Sequence, residues 1–458
     1  MLEKKDLELL RQALEKLDAG FAALPEDSRT PADESRIAKV LMATAERLQD
    51  NYPYFHPLYA GQMIKPPHPV ARLAYALAQW INPNNHALDG GRASSTMEKE
   101  AVAGLAKMFG WTEHLGHLTS GGTMANLEAL WVAGQLMPGK TIVASEQAHY
   151  THHRISGVLR LPFESIACDE RARMDLQALE TRLAKRDVGT VVVTMGTTAT
   201  GSVDPLTEIL ALKEKYGFRV HCDAAYGGYF GLAGNLAEET RRAFDRMGDA
   251  DSIVIDPHKH GLQPYGCGCV LFRDPSVGRL YKHDSPYTYF SSKEMHLGEI
   301  SLECSRPGAA AVALWATQML LPLVKGGEFA QGLEKCREAA LEFHRRIGSD
   351  SRLVAAFVPE LDIVIFAPRA ETASASSTLS RQIFEATAKR NLHLAVAELP
   401  VRFFLGPSEW RKQERATLTC LRSVLMKPEH GEWVPRIWEI LSASTEEVLG
   451  KGRGSNVV

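Results

Sequence analysis

Leucines at positions 7, 10, 14 and 17 recur at three- and four-residue steps, a spacing that lines apolar side chains along one stripe of a helix. The pattern predicts helix over most of residues 1–50, broken by Pro25 and Pro31, with the second helix running from about 31 to 50. The helices have no obvious core of their own, so the stripe is expected to pack on another part of the protein or on a second subunit. Prolines at 53, 57, 66, 67 and 69 then mark a loop. From about 70 to 300, short β-branched runs alternate with helical stretches, and 141–144, 190–194, 218–222, 252–255 and 269–272 read as buried strands. Helices between such strands imply βαβ crossovers and a mainly parallel sheet. A connection at 298–307 leads into a long apolar helix from Gly308, and the remainder mixes helices with strands at 361–366 and 416–426. The expected division is a helical arm (1–69), a large α/β domain (70–324) and a smaller C-terminal α/β domain (325–458).

Composition narrows this picture. A chain of 458 residues, 45% apolar and 23% charged, is a folded protein too long for one simple core. The net charge of −3, with no lysine or arginine block, argues against a nucleic-acid or membrane surface. The charged start Met1-Leu2-Glu3-Lys4-Lys5 reads as a helix opening and not a signal peptide. The most apolar run, 309–324, is interrupted by Gln318 and Pro322 and is short for a membrane span. Seven irregularly spaced cysteines form no disulfide pattern, which suggests reduced thiols and a cytoplasmic setting. Cys267-Gly268-Cys269 and His152-His153 lack partner clusters at zinc-site spacing. They read as buried thiols on a strand and as histidines on the surface or behind a site, and no metal is expected.

Three clusters carry candidate chemistry. Ser120-Gly121-Gly122-Thr123 precedes a helical stretch at 124–133. There two glycines let backbone N–H groups and the helix dipole approach a phosphate, although a Gly-Gly pair is also common turn chemistry. Asp223 ends the strand at 218–222, where a buried carboxylate needs a cationic partner unless it only caps the next helix. Lys259 lies in Asp256-Pro257-His258-Lys259-His260, just past the strand at 252–255. His149, in Glu146-Gln147-Ala148-His149, follows the strand at 141–144 and is placed to lie flat on a bound aromatic ring. An amine able to form an imine, an acid able to hold a pyridinium proton and a phosphate cradle are together what pyridoxal 5'-phosphate (PLP) requires.

These segments carry a family resemblance. With Leu118 to Leu130, Gly196-Thr197-Thr198 and His221-Cys222-Asp223-Ala224-Ala225-Tyr226, the chain resembles the group II PLP-dependent amino-acid decarboxylases over most of its length. The resemblance implies the PLP-dependent transferase fold type I (aspartate-aminotransferase-like) and a homodimer with its active site at the subunit interface. It implies Lys259 as the Schiff-base lysine, Asp223 on the pyridine nitrogen, His149 on the ring and near the substrate carboxylate, and Gly121, Gly122 and Thr123 on the phosphate. Ala225 would pack beneath the ring, Thr198 would join the polar shell, His258 would sit beside the phosphate, and Arg422 would bind the substrate carboxylate. A lid over 283–297 would bring Tyr287, with Tyr289 in reserve, to protonate the α-carbon. Some family members carry asparagine where this chain has Asp256, and a carboxylate there is expected to turn away from the phosphate or bond the backbone.

The activity implied is conversion of an L-amino acid to its primary amine and CO2. The alternatives are a PLP-dependent carbon–carbon lyase or aldolase on the same fold and, more remotely, a catalytically silent dimeric scaffold. Tyr54, Phe55, Pro57 and Tyr59 are candidates to line an aromatic side-chain pocket, whereas Arg72 and Arg92 would suit an acidic one. The resemblance places aromatic substrates slightly ahead of glutamate and aspartate.

Overall fold

A computed structural model describes residues 4–25, 33–282, 296–404 and 415–454. Seven strands among them build one sheet: β1 (Leu115–Thr119), β2 (Thr141–Ser145), β3 (Phe163–Ile166), β4 (Val188–Thr194), β5 (Arg219–Asp223), β6 (Ser252–Ile255) and β7 (Gly268–Phe272). Their spatial order is β1-β7-β6-β5-β4-β2-β3. Strands β3, β2, β4, β5 and β6 are parallel, while β7 runs antiparallel to both β6 and β1. Every residue of β2, β4, β6 and β7 is buried, which is why these strands read as unbroken apolar runs. The edge strands β1 and β3, Leu-Gly-His-Leu-Thr and Phe-Glu-Ser-Ile, carry no such run.

A second, wholly antiparallel sheet contains β8 (Leu353–Ala355), β9 (Ile363–Pro368), β10 (Ala395–Pro400) and β11 (Thr417–Val424), in the order β10-β11-β9-β8. The helices Glu328–Gly348 and Ala373–Ala388 pack on it, and His430–Gly454 packs on those helices. The loop after residue 50 is stitched to this smaller sheet. The Ala60 N–H donates to His393 O at 2.9 Å, and the Val424 N–H donates to Ala60 O at 2.8 Å.

Of the N-terminal stripe, Leu10, Leu14 and Leu17 are half-buried on a helix that contacts Pro69–Gln79, while Leu7 stays exposed. The second helix, Glu34–Leu48, has no buried residue at all. Ile37, Val40, Leu41, Met42 and Leu48 stand exposed along it. No described helix is long and apolar enough to cross a membrane.

Candidate active site

The carboxyl ends of β1, β2, β4, β5 and β6 border one cavity of about 300 Å³. Parallel strands feeding helices leave their loops at that edge, so the sheet itself gathers residues distant in sequence. The segment after β1 supplies Ser120 to Met124, that after β2 supplies His149 and Thr151, and that after β4 supplies Gly196 and Thr198. From β5 come Asp223, Ala225 and Tyr226, and from the turn after β6 come Asp256, His258 and Lys259. Helix Gly122–Leu136 starts at the cavity with its free N–H groups. Gly121, at φ 156° and ψ 175°, occupies backbone space that is essentially closed to other residues. On β7, a side chain at Gly268 would meet the Gly121 backbone at 2.5 Å, so this approach needs glycine at 268.

Asp223 is 5% exposed. Its Oδ2 lies 2.8 Å from His152 Nε2, and its Oδ1 accepts the Ala225 N–H at 3.2 Å. Burial alone would push this carboxyl up. The hydrogen bond and charge of His152, followed by the charge of Lys259, outweigh it and hold Asp223 well below the ordinary carboxylate range. His152, expected on the surface or behind a site, is therefore the support of the buried acid. The signal was its position three residues after His149, since i and i+3 share a face at a helix start. The neighbouring His221 is buried between Ser252 Oγ and Asn126 Oδ1, each at 2.8 Å. Burial lowers its imidazole to about 3.

Lys259 Nζ lies 3.1 Å from Asp256 Oδ2, and His258 Nε2 lies 3.5 Å from the same oxygen. Asp256 was expected to turn away from the phosphate cradle. Instead its carboxylate faces the cradle, where a Cβ on Gly122 would meet Oδ2 at 2.7 Å. The physical reason is the tight turn in which the Lys259 N–H donates to Asp256 O at 2.9 Å, bringing the lysine back over the carboxylate. The neighbouring cation offsets the negative charge. His258 donates from Nδ1 to Cys267 O at 2.8 Å and borders Gly121, as expected of a residue beside the cradle.

His149 is half-buried, and its Nδ1 accepts the Thr151 N–H at 3.2 Å. One ring face is stacked on Tyr150 at 4.4 Å between centroids. Arg422, on β11, is buried outside the cavity lining. It donates to Ala199 O (3.0 Å), Thr198 O (2.7 Å), Gly61 O (3.1 Å) and Gln62 Oε1 (3.3 Å), locking three segments together. Tyr287 and Tyr289 lie outside the described residues. The last residues expected in the lid, His296 and Leu297, are buried and fixed, with the Leu88 N–H donating to His296 Nδ1 at 3.0 Å.

The expected aromatic pocket does not form around Lys259. Tyr54 and Tyr59 pack edge-to-face at 4.9 Å, Tyr52 lies 4.9 Å from His393, and Phe55 and Pro57 face a different cavity. Pairing of residues 58–60 with His393 draws this segment toward the smaller sheet. Neither Arg72 nor Arg92 lines the Lys259 cavity.

The conserved domain of the pyridoxal-dependent decarboxylases matches residues 124–369, a stretch that contains His149, Asp223 and Lys259. The chain belongs to this family. It is 26% identical to the L-tyrosine decarboxylase of Enterococcus faecium, across 88% of this chain and 87% of the relative. A probable L-tyrosine/L-aspartate decarboxylase of Methanopyrus kandleri is 30% identical across 64% of this chain and 81% of the relative. The structure of Oryza sativa TDC with PLP and tryptamine superposes with a TM-score of 0.75 at 18% identity, covering 97% of this chain and 99% of that one. That likeness establishes the fold: this decarboxylase has the fold type I architecture expected for a PLP enzyme.

The residues present fit PLP. A glycine-lined helix start suits its phosphate, an ionised buried carboxylate suits its protonated ring nitrogen, and Lys259 is the amine within the same cavity.

Replacing His152 by leucine would leave Asp223 without its strongest support. A hydrogen bond to a charged group is worth about 1.5–3 kcal/mol, so kcat is expected to fall ~10-fold or more. His152→Gln should restore part of the loss, and steady-state kinetics with PLP in excess is the check.

His221 and His430 are both lowered to about 3 by burial, against about 6.5 in an unfolded chain. Their folded values are depressed, so the unfolded state binds protons first, and stability falls as pH drops from about 6.5 toward 3. Each histidine contributes a slope of up to about 1.4 kcal/mol per pH unit. Urea midpoints measured from pH 7 to pH 4.5 should show that slope shallower by one proton in His221→Asn.

Proposed function

We propose that this decarboxylase acts on an aromatic L-amino acid and releases the corresponding arylalkylamine and CO2. The observation that carries the preference is the charge of the cavity wall: among its described lining residues Lys259 is the sole lysine, and no arginine is present. An acidic side chain would enter without a cation to meet it, at a cost of several kcal/mol. Exposed tyrosines stand beside both site histidines, Tyr150 stacked on His149 and Tyr265 on His258 at 4.5 Å, which makes the surroundings of the cavity aromatic. The Enterococcus faecium relative, a tyrosine decarboxylase, agrees with this reading.

Bound PLP supplies an electron sink for the pair left at the α-carbon when CO2 departs. This chain's residues do the rest. Gly121, Gly122 and Thr123 hold the phosphate, with His258 beside them. Asp223, held ionised by His152, keeps the proton on the ring nitrogen. Ala225 and His149 would bracket the PLP ring, and Lys259 would hold the cofactor through the amine that faces the cavity. Arg422, buried outside the cavity lining with four of its five N–H groups taken by Ala199, Thr198, Gly61 and Gln62, acts by ordering Thr198 and not by meeting the substrate carboxylate. Tyr287 returns a proton to the α-carbon. CO2 release across a panel of L-amino acids should give a kcat/KM for tyrosine, phenylalanine or tryptophan at least ~10-fold above those for aspartate and glutamate. Faster turnover of aspartate overturns the preference. Tyr287→Phe should divert turnover from amine to side products, and undiminished amine formation removes its role.

We also propose a homodimer, supported by the exposed apolar face of Ile37, Val40, Leu41 and Met42. Sedimentation equilibrium should give twice the chain mass, and Val40→Glu with Leu41→Glu should shift it toward one.

A further inference from the structure

A second cavity, of about 490 Å³, lies between the 55–69 segment, the start of helix Glu328–Gly348 and the Lys427–Glu429 turn. One wall is apolar and includes Phe55, Pro57, Leu262, Phe329 and Leu333. The other brings together Lys65, Lys427 and His260, with the exposed carboxylates of Glu328 and Glu429 at the rim. Lys427 is 3% exposed and donates from Nζ to Tyr59 O at 2.6 Å, while Lys65 donates to Met426 O at 3.2 Å. Each ammonium has three donors, and each is met by one neutral carbonyl. Neither makes an ion pair with a carboxylate among the described residues. Asp362 and Glu429 act on Lys65 from further away. His260 is 1% exposed and its Nδ1 has no hydrogen-bond partner, while its Nε2 lies 3.2 Å from Asp362 Oδ2.

Two lysine amines facing the same space repel one another, and Asp362 and Glu429 act on them without forming an ion pair with either. Burial and the charge of Lys65 bring the Lys427 amine down to about 7. Carbonyl contacts alone explain how the lysines hold the chain, but not why two of them, with the free Nδ1 of His260, are turned toward a cavity. An oxyanion would satisfy the spare N–H groups and the charge together. The apolar wall opposite favours an anion with a carbon skeleton over a bare inorganic ion. The cavity also falls in the size range of small-molecule sites.

We propose that this cavity binds a small organic carboxylate, with its oxygens at Lys65 and Lys427 and its carbon skeleton on the Phe55, Phe329 and Leu333 wall. The site is separate from the Lys259 cavity and does not depend on the substrate assigned there.

Benzoate is the probe, with the PLP-saturated enzyme as the sample. Calorimetry and thermal melting should show saturable binding, weakened ~10- to 100-fold in Lys427→Met. Binding that survives unchanged in Lys427→Met would locate benzoate in the Lys259 cavity and overturn the proposal, as would no binding at all. Phosphate binding through Lys427 without benzoate binding would overturn the carboxylate class. Should Lys427→Met fail to fold, the wild-type enzyme crystallised with 4-bromobenzoate decides. Bromine anomalous signal against Phe329 and Leu333 supports the site, and signal confined to the Lys259 cavity refutes it.

Discussion

A buried carboxylate held in its charged form is the constraint on which the active site rests. Asp223 ends β5, with β4 and β6 on either side, where a lone acid would take up a proton to escape the low dielectric. The His152 Nε2 contact on one oxygen, with the charge of Lys259, reverses that tendency, and the Ala225 N–H meets the other oxygen. Both supports depend on the sheet. Ala225 is fixed by the turn that leaves β5, and His152 by the first turn of helix Thr151–Leu159 after β2, whose register with β4 sets its distance from β5. A shift of β2 against β4 would displace His152 and leave the acid uncompensated, a penalty of several kcal/mol at one atom.

The same edge geometry accounts for the other half of the cofactor site. Lys259 and Asp256 come from one turn after β6, so the reactive amine and its counter-charge arrive as a unit. The ammonium keeps the carboxylate tolerable beside the Gly122 helix start, and the carboxylate keeps the ammonium oriented inside the cavity. His258 belongs to the same turn and is locked by Cys267 O. A carboxylate next to a phosphate cradle is thus consistent with anion binding, because the turn carries its own neutralising charge.

The sequence was most informative where the chain has least freedom. The central strands, buried on both faces, show as β-branched runs, and the Gly-Gly, Asp223 and Lys259 segments fall at their ends as the parallel topology requires. The edge strands β1 and β3, and β10 with its alternating exposure at the margin of the smaller sheet, have one neighbour each and so carry mixed polarity that hides them. His152 was obscured by its neighbour His153, which lies at the surface beside Phe163. The pair looked alike in sequence, and only helical phase separates them. Asp256 was misplaced because a repulsion argument was applied to one residue when the turn delivers a charge pair. Tyr54, Phe55 and Tyr59 were misassigned because no local pattern reports the pairing of 58–60 with His393, more than three hundred residues away.

That division between legible and hidden residues follows the chemistry. The parts that fit PLP come from the carboxyl ends of strands in one sheet, which gathers them although β1 and β2, consecutive in the chain, lie on opposite sides of it. Beside them, one guanidinium joins distant segments: Arg422 of the smaller sheet ties Gln62 of the 51–69 loop to Thr198 and Ala199 after β4. Contacts of this kind change with small shifts between segments while the cofactor half stays fixed. A family built this way can keep one reaction and vary its substrate, as the tyrosine and tyrosine/aspartate decarboxylases among the relatives do. The reaction class is therefore written in short motifs, whereas the contacts that join distant segments around the cavity are displayed only by the folded chain.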